Sequence, residues 1–183
     1  MLLLGHMAFG SKLVEVFRTE LPKKWIFLGA ILPDLIDKPL YYIFVHATGR
    51  SGAAIGLISG TRTFGHSGLL LLTFLGFGLV RGSLVSLAVA AGMLTHLGLD
   101  LAGDSLELFD QSATVRSALF PFLGFEFWAA PARTMSEHLF QRAHTPYVWI
   151  SEVFGFMLLL WDLVRYRKTR SSPQGLALRR PEP

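Results

Sequence analysis

Two aspartates lie in a strongly apolar stretch of the chain, from Gly29 to Pro39. An ionised carboxylate among aliphatic residues is costly unless it is paired, hydrogen-bonded or bound to a metal, so Asp34 and Asp37 call for a cation. The two prolines of the stretch lack amide donors and bias the preceding residues away from helical geometry. We therefore predict a helix end over Leu32 to Lys38 that presents both carboxylates. The alternative is that the two acids cap or pair with the following helix.

Histidines supply the other half of a metal-ligand set. His96 and Asp100 are four residues apart, so on a helix they share one face. Histidine with carboxylate is the usual ligand set for zinc, iron or manganese, and the chain has no cysteine to add a thiolate. We predict a site for one or two divalent ions, with zinc as the first expectation. Its candidate ligands are His6, Asp34, Asp37, His66, His96 and Asp100.

Each candidate also has a simpler interpretation. His6 can be incidental, His66 can bond to backbone at a helix start, and His96 with Asp100 can form a self-contained buried hydrogen bond. Lys38 is expected to extend its ammonium group towards water rather than to act chemically. A further set of potential ligands or bases stays outside the predicted site because nothing in the sequence aligns it: His46, His138, His144, Glu126, Glu137 and Glu152.

The composition indicates a membrane protein. The chain of 183 residues is 51% hydrophobic and 16% charged, whereas charged residues make up about a quarter of an ordinary soluble domain. No charged residue occurs from Gly65 to Val80 or from Gly82 to Leu99, two segments near the lower length limit for crossing a bilayer. The N-terminus has no basic signal-peptide region, so we expect it to be retained.

The elements that position the candidate ligands are all predicted to be helical. The fold is an all-α polytopic membrane bundle of two antiparallel hairpins plus a C-terminal membrane helix. Helices over residues 3–17 and 25–32 form the first hairpin, residues 65–80 and 84–100 the second, and residues 147–164 the last helix. Residues 48–63 are predicted to be a loop, and an amphipathic helix is expected around Ala118 to Ala130. Residues 1–170 form a single domain, and residues 171–183 a disordered polar tail.

Antiparallel packing of these hairpins gathers the candidate ligands at one end of the bundle. The opposite end collects basic residues: Arg18, Lys23, Lys24, Arg81 and the cluster from Arg165 to Arg170. Short basic segments favour the cytoplasmic side of the membrane, so we expect a cytoplasmic C-terminus and an outward-facing site in the cell (inner or plasma) membrane. The formal charge of +4 is explained by this anchoring, and no nucleic-acid partner is expected.

Three segments carry a family resemblance when taken in order after His6. They are Leu-Pro-Asp-Leu-Ile-Asp-Lys-Pro39, Gly-Thr-Arg-Thr-Phe-Gly-His-Ser67 and Gly92-Met-Leu-Thr-His-Leu-Gly-Leu-Asp100. They resemble the YdjM-like family of membrane-bound metal-dependent hydrolases, also labelled LexA-binding and inner membrane-associated, which is remotely similar to zinc-dependent phospholipase C. The resemblance covers roughly the first hundred residues. It implies His6, Asp34, His66, His96 and Asp100 as metal ligands and Asp37 as a ligand or base. Many members have histidine where this chain has Lys38.

The leading functional hypothesis is a membrane-bound hydrolase that acts on phosphoester or other ester bonds of a lipid-like substrate approaching from the bilayer. Metal-activated water would be the nucleophile, Asp37 the general base or second-metal ligand, and Arg62 the contact to a phosphate or oxyanion. The alternative is a non-enzymatic, metal-stabilised membrane scaffold or partner-binding protein. An ion or proton pathway is disfavoured because the segments leading to Arg81 are apolar. The sequence leaves the oligomeric state open.

Overall fold

The computed structural model describes residues 3–17, 20–106, 112–129, 133–143 and 145–171. The described residues form seven α-helices and one 3-10 segment, with no strand among them, which confirms the predicted all-α class. The helices are α1 (Leu3–Phe17), α2 (Lys23–Thr48), α3 (Gly68–Arg81), α4 (Leu84–Leu106), α5 (Ser112–Ala118), α6 (Met135–Ala143) and α7 (Pro146–Ser171), and the 3-10 segment covers Gly52–Ile58. The expected polar tail lies almost entirely outside the described residues, from 172 onward.

Two helices are long and apolar enough to cross a membrane, namely α4 over Leu84–Ser105 and α7 over Pro146–Lys168. At 1.5 Å per residue the 14 residues of α3 extend only about 21 Å, less than the roughly 30 Å of a hydrocarbon core. The helix is shorter than expected because Ser67 caps its start and accepts a hydrogen bond from the Leu70 amide. Helices α4 and α7 are therefore the candidate membrane spans among the described residues.

Helix α2 continues through both prolines, so the predicted helix end over Leu32 to Lys38 is wrong. It runs for 26 residues and ends at Gly49, whose φ of 66° places it in the left-handed conformation that glycine adopts easily. Each proline removes one helical hydrogen bond, a loss that packing can offset. Pro33 is buried in the bundle and Pro39 is followed by the buried Tyr41, so tertiary contacts hold the helix together across both positions.

Small residues let α2 and α4 approach each other closely. A Cβ atom on Gly29 would lie 2.2 Å from the Val89 carbonyl oxygen, and one on Gly92 would lie 2.2 Å from the Ile26 carbonyl oxygen. The His96 ring reaches the Ala30 carbonyl further along the pair. Ile26 belongs to the same core cluster as Ala88, and Ala30 lies beside His96, so later residues of α2 meet later residues of α4 and the two helices run parallel.

Helices α1, α3 and α7 run in the opposite direction to α2 and α4. Gly10 of α1 lies beside Ala30, and Ser86 of α4 donates to the Phe74 carbonyl of α3 at 2.6 Å, as expected for antiparallel neighbours joined by short turns. Helix α7 is parallel to α1, because Glu152 contacts the start of α1 and Asp162 pairs with Lys12 at 2.6 Å. As a consequence, Lys23, Arg81 and Lys168 share one end of the bundle; Arg18 lies outside the described residues.

The segment between α5 and α6 differs from its prediction. Instead of an amphipathic helix around Ala118 to Ala130, α5 ends at Ala118 and turns follow, because Pro121 and Gly124, with a φ of 108°, interrupt helical geometry. Phe120 and Phe127 pack against Phe64, with ring centroids 5.8 and 5.4 Å from it. The segment thereby covers the loop that leads into α3.

Candidate metal centre

Four parts of the chain deliver the candidate ligands to one buried cluster. His6 comes from α1, Asp34 and Asp37 from α2, His66 from the loop before α3, and His96 with Asp100 from α4. His6, Asp37, His66 and His96 expose 1% of their surface or less, and Asp100 exposes 4%. Asp34 is less enclosed, with 18% of its side chain exposed. All six predicted residues thus lie at one level of the bundle.

The rings of His66 and His96 have fixed orientations. His66 donates its Nδ1 hydrogen to Asp37 Oδ2 at 2.7 Å, and His96 donates its Nδ1 hydrogen to the Ala30 carbonyl at 2.6 Å. Both partners can only accept, so each neutral ring presents an Nε2 lone pair. The two Nε2 atoms are 3.2 Å apart. Two nitrogens on one tetrahedral zinc ion would be separated by about 3.3 Å, so the arrangement fits a shared metal.

Two lone pairs in contact repel each other unless a cation lies between them. Without a metal, that cation is a proton. Burial lowers the pKa of His66, but the nearby carboxylates of Asp100 and Asp37 outweigh burial and raise the pKa to about 9. The site therefore attracts positive charge, whether as a proton or as a metal ion.

Carboxylate oxygens complete the set of donor atoms. Asp34 Oδ1 lies 3.7 Å and Asp100 Oδ2 3.6 Å from His66 Nε2, and Asp100 Oδ2 lies 3.8 Å from His96 Nε2. Donor atoms of Asp34, His66 and His96 fall within 4.8 Å of one another, as do those of His6, His96 and Asp100. His96 belongs to both groups, but its Nδ1 is already bonded, so it can serve only one ion.

His6 carries the clearest sign of an unfilled interaction. Its ring stacks on His96 with a centroid distance of 3.9 Å, and its Nε2 lies 3.3 Å from Asp100 Oδ1. Neither ring nitrogen has a properly aligned hydrogen-bond partner, although both are buried. Buried polar atoms normally have a partner, so an orphaned imidazole beside a carboxylate fits a metal ligand.

Asp37 is fully occupied by the loop before α3. Its two oxygens accept from the Thr63 amide at 2.6 Å, the Thr63 hydroxyl at 2.8 Å, the Gly65 amide at 2.8 Å and the His66 amide at 3.2 Å, besides the His66 ring. A Cβ atom on Gly65 would meet the Pro33 carbonyl oxygen at 2.5 Å. Asp37 thus fixes the loop and the His66 ring, a different task from the ligand or base predicted for it.

Arg62 is held by other side chains of the site. Its Nε lies 3.1 Å from Asp100 Oδ2, and its Nη1 donates to Asp104 Oδ2 at 2.5 Å and to the Thr114 hydroxyl at 2.7 Å. Asp104 and Thr114 were not among the predicted site residues, although Asp104 follows Asp100 by four residues and so shares its helix face. These contacts make Arg62 a partner of Asp100.

Lys38 does not extend away from the cluster as expected. Its Nζ lies 2.5 Å from Asp34 Oδ2, one helical turn earlier. Lys38 and Asp34 have 19% and 18% of their side chains exposed, more than the other members of the cluster. The site is therefore most accessible beside this pair.

The histidines and glutamates that were not included in the predicted site are exposed, make other contacts or lie outside the described residues. His46 and Glu126 are exposed, and Glu137 accepts from the amides at the start of α6. Glu152 accepts from the Leu4 amide at 2.9 Å and the Gly5 amide at 3.0 Å, which positions the start of α1 two residues before His6. The side chain of His138 and all of His144 lie outside the described residues.

Comparison with protein families gives a match of nearly full length. The family model described as YdjM inner membrane protein matches residues 1–169. Comparisons with curated proteins and with solved structures give no match.

Proposed function

This chain belongs to the YdjM inner membrane protein family, and we propose that it is a membrane-bound, metal-dependent hydrolase. Its substrate class is a phosphoester or another ester of a lipid-like molecule. The observation that carries the proposal is the pair of Nε2 atoms of His66 and His96, 3.2 Å apart with both Nδ1 hydrogens already donated. Such a pair binds a cation, and Asp34, Asp100 and His6 surround it with further donor atoms.

Charge balance favours one divalent ion, zinc first, with manganese or iron as alternatives. The charged side chains of the cluster and its immediate contacts comprise four acids and two cations, which leaves two negative charges when the histidines are neutral. A buried excess of charge is costly, and one divalent ion would neutralise it. The six residues are Asp34, Asp37, Asp100, Asp104, Lys38 and Arg62.

Residues around the proposed ligands have supporting tasks. Asp37 fixes the His66 tautomer, and Arg62 holds Asp100 in place from the opposite side. Such outer partners raise the basicity of metal ligands and orient them. When bound, a divalent ion supplies Lewis acidity and lowers the pKa of a water molecule, which is the chemistry of hydrolysis. Asp37 is better suited to orientation than to accepting a proton, because its oxygens are saturated.

The surroundings of the site favour a lipid-like substrate. The accessible side lies along α2 beside Asp34 and Lys38, and the same helix exposes Leu35 and Ile43, with 53% and 63% of their surface accessible. In a membrane protein such apolar side chains face lipid. A molecule with an apolar tail and a polar ester group can therefore lie against α2 with its ester group beside Asp34 and Lys38.

A metal-stabilised scaffold is the second candidate, and the deep burial of His6, His66, His96 and Asp100 favours it. A structural ion is saturated by protein ligands, whereas a catalytic ion keeps one coordination position open. Hydrolysis and exchange of an added ligand at the metal therefore distinguish the two functions.

The test is release of inorganic phosphate from dioctanoyl phosphatidic acid by zinc-loaded protein in maltoside micelles. We expect chelation to abolish the release, zinc to restore it and His96→Ala to eliminate it. His46→Ala is the matched control, because His46 is exposed and lies about 18 Å along α2 from Asp34. Full zinc occupancy without hydrolysis of phosphate or carboxylate esters would support the scaffold instead.

A further inference from the structure

We propose that Lys38 and Tyr42 form an anion subsite beside the metal ligands, where phosphoryl oxygens of the substrate bind. The inference rests on the proposed function, because the subsite adjoins the proposed ion through Asp34. The subsite places substrate binding on α2 instead of on Arg62, the residue predicted from the sequence to contact a phosphate.

The two cations of the site differ in how many acceptors they already contact, and so in their capacity to bind a substrate. Arg62 has three acceptors, from Asp100, Asp104 and Thr114, and 12% of its side chain is exposed. Lys38 has Asp34 as its partner in the described residues and is 19% exposed. An ammonium group has three donors, so Lys38 can serve a second acceptor while it remains near Asp34.

Tyr42 provides a second donor on the same face of the helix. Asp34, Lys38 and Tyr42 follow one another at intervals of four residues, so they share one face of α2. The Tyr42 hydroxyl is buried and lacks a hydrogen-bond partner in the described residues. Buried hydroxyls normally have a hydrogen-bond partner, so we expect a bound ligand to supply the acceptor for Tyr42.

A phosphoryl group matches this set of donors better than a carboxylate does. Its oxygens point in several directions, so one can face the metal ligands while others accept from Lys38 and Tyr42. An ion held by Asp34 would share the negative charge of this carboxylate, and Lys38 would then gain more from a charged phosphate oxygen. The source can be a lipid headgroup or free phosphate, since both present the same oxygens.

The experiment measures binding instead of turnover. Zinc-loaded full-length protein in maltoside micelles is titrated with inorganic phosphate in one arm and with dioctanoyl phosphatidic acid in another, by calorimetry. The variants are Lys38→Met, Lys38→Arg and Tyr42→Phe. Lys24→Met is the matched control, because Lys24 is an exposed lysine near the start of the same helix. Zinc content is measured in every sample.

We expect Lys38→Met to weaken phosphate binding by about tenfold or more, Tyr42→Phe by a few-fold, and Lys38→Arg to retain part of the affinity. Zinc content should stay at the wild-type level, since removing a competing cation does not weaken Asp34 as a ligand. Tighter binding of the phosphatidic acid than of free phosphate identifies a lipid headgroup as the source; the reverse identifies a soluble phosphate.

Unchanged phosphate affinity in Lys38→Met would overturn the subsite, as would a loss of zinc in proportion to the loss of phosphate. Absence of zinc from the wild type would instead count against the proposed function. The zinc and phosphate measurements therefore separate the two failures.

Discussion

His66 and His96 face each other through Nε2 atoms 3.2 Å apart, and neither atom carries a hydrogen in the neutral rings. Asp37 fixes the first ring and the Ala30 carbonyl fixes the second. The fold thus holds two lone pairs together, an arrangement that is unfavourable without a cation. The surrounding acids exceed the neighbouring cations by two charges, so they also favour binding of a cation.

Asp37→Asn tests whether an outer carboxylate sets the properties of the centre. The amide can donate to His66 Nδ1 and so favours the wrong tautomer, and we expect zinc affinity to fall by about 10- to 100-fold. Competition with a chromogenic chelator measures the affinity. Asp162→Asn is the control, because that carboxylate pairs with Lys12 between α1 and α7. Equal affinities of the two variants would contradict an orienting role for Asp37.

Arg62→Ala is expected to destabilise the protein. It leaves Asp100 and Asp104 buried without their cation, and loss of one partner from a buried pair costs about 3–5 kcal/mol. Thermal unfolding in micelles, recorded with and without zinc, measures the loss. Added zinc should restore part of the stability because Asp100 then has another cation. An unchanged unfolding temperature with reduced substrate binding would return Arg62 to the role of a substrate contact.

Glu152→Ala is expected to affect the metal centre from a distance. The Glu152 carboxylate caps the start of α1, and loss of a cap costs about 0.5–2 kcal/mol. Because His6 lies in the first turns of α1, we expect a several-fold weaker zinc affinity as well. The exposed Glu126 provides the control variant Glu126→Ala. Full zinc affinity in Glu152→Ala would show that His6 does not depend on this cap.

Gly29→Ala tests the close packing of α2 on α4. The new Cβ atom would meet the Val89 carbonyl oxygen at 2.2 Å, so the helices must separate, and we expect a loss of roughly 1–3 kcal/mol. Gly98→Ala is the matched control, since a Cβ atom there has no neighbour within 4 Å. Unfolding temperatures of the two variants give the comparison. Equal stability would mean that α2 and α4 are not in this register.

Membrane orientation follows from the two ends of the bundle. Lys23, Arg81 and Lys168 lie at the end opposite the metal centre, and basic segments favour the cytoplasm, so the centre should lie towards the outer face. The chain has no cysteine, so single cysteines at exposed positions 24 and 54 can be labelled in intact cells or spheroplasts with an impermeant reagent. Labelling at position 54 is expected; labelling at position 24 alone would reverse the orientation.

The sequence predicted the clustering of the candidate ligands better than the bounds of the helices. Alternating helix directions bring His6, His66 and Asp100 to one level. These directions can be predicted from the order of the apolar segments along the chain. The continuity of α2 was not predictable from Pro33 and Pro39, because burial against α4 overrides their local preference. The hydrogen bonds that saturate Asp37 depend on a loop fold with no periodic pattern. Orientation, hydrolysis and the identity of the metal stay predictions.

Metal analysis of the purified protein tests the central claim most directly. Wild type, His66→Ala and His46→Ala are purified in maltoside, reconstituted with zinc, freed of excess ion and measured by inductively coupled plasma mass spectrometry. One zinc ion per chain is expected in wild type and His46→Ala, and a loss of stoichiometric zinc in His66→Ala. No stoichiometric zinc, manganese or iron in the wild type after reconstitution, or full occupancy in His66→Ala, would contradict the metal centre.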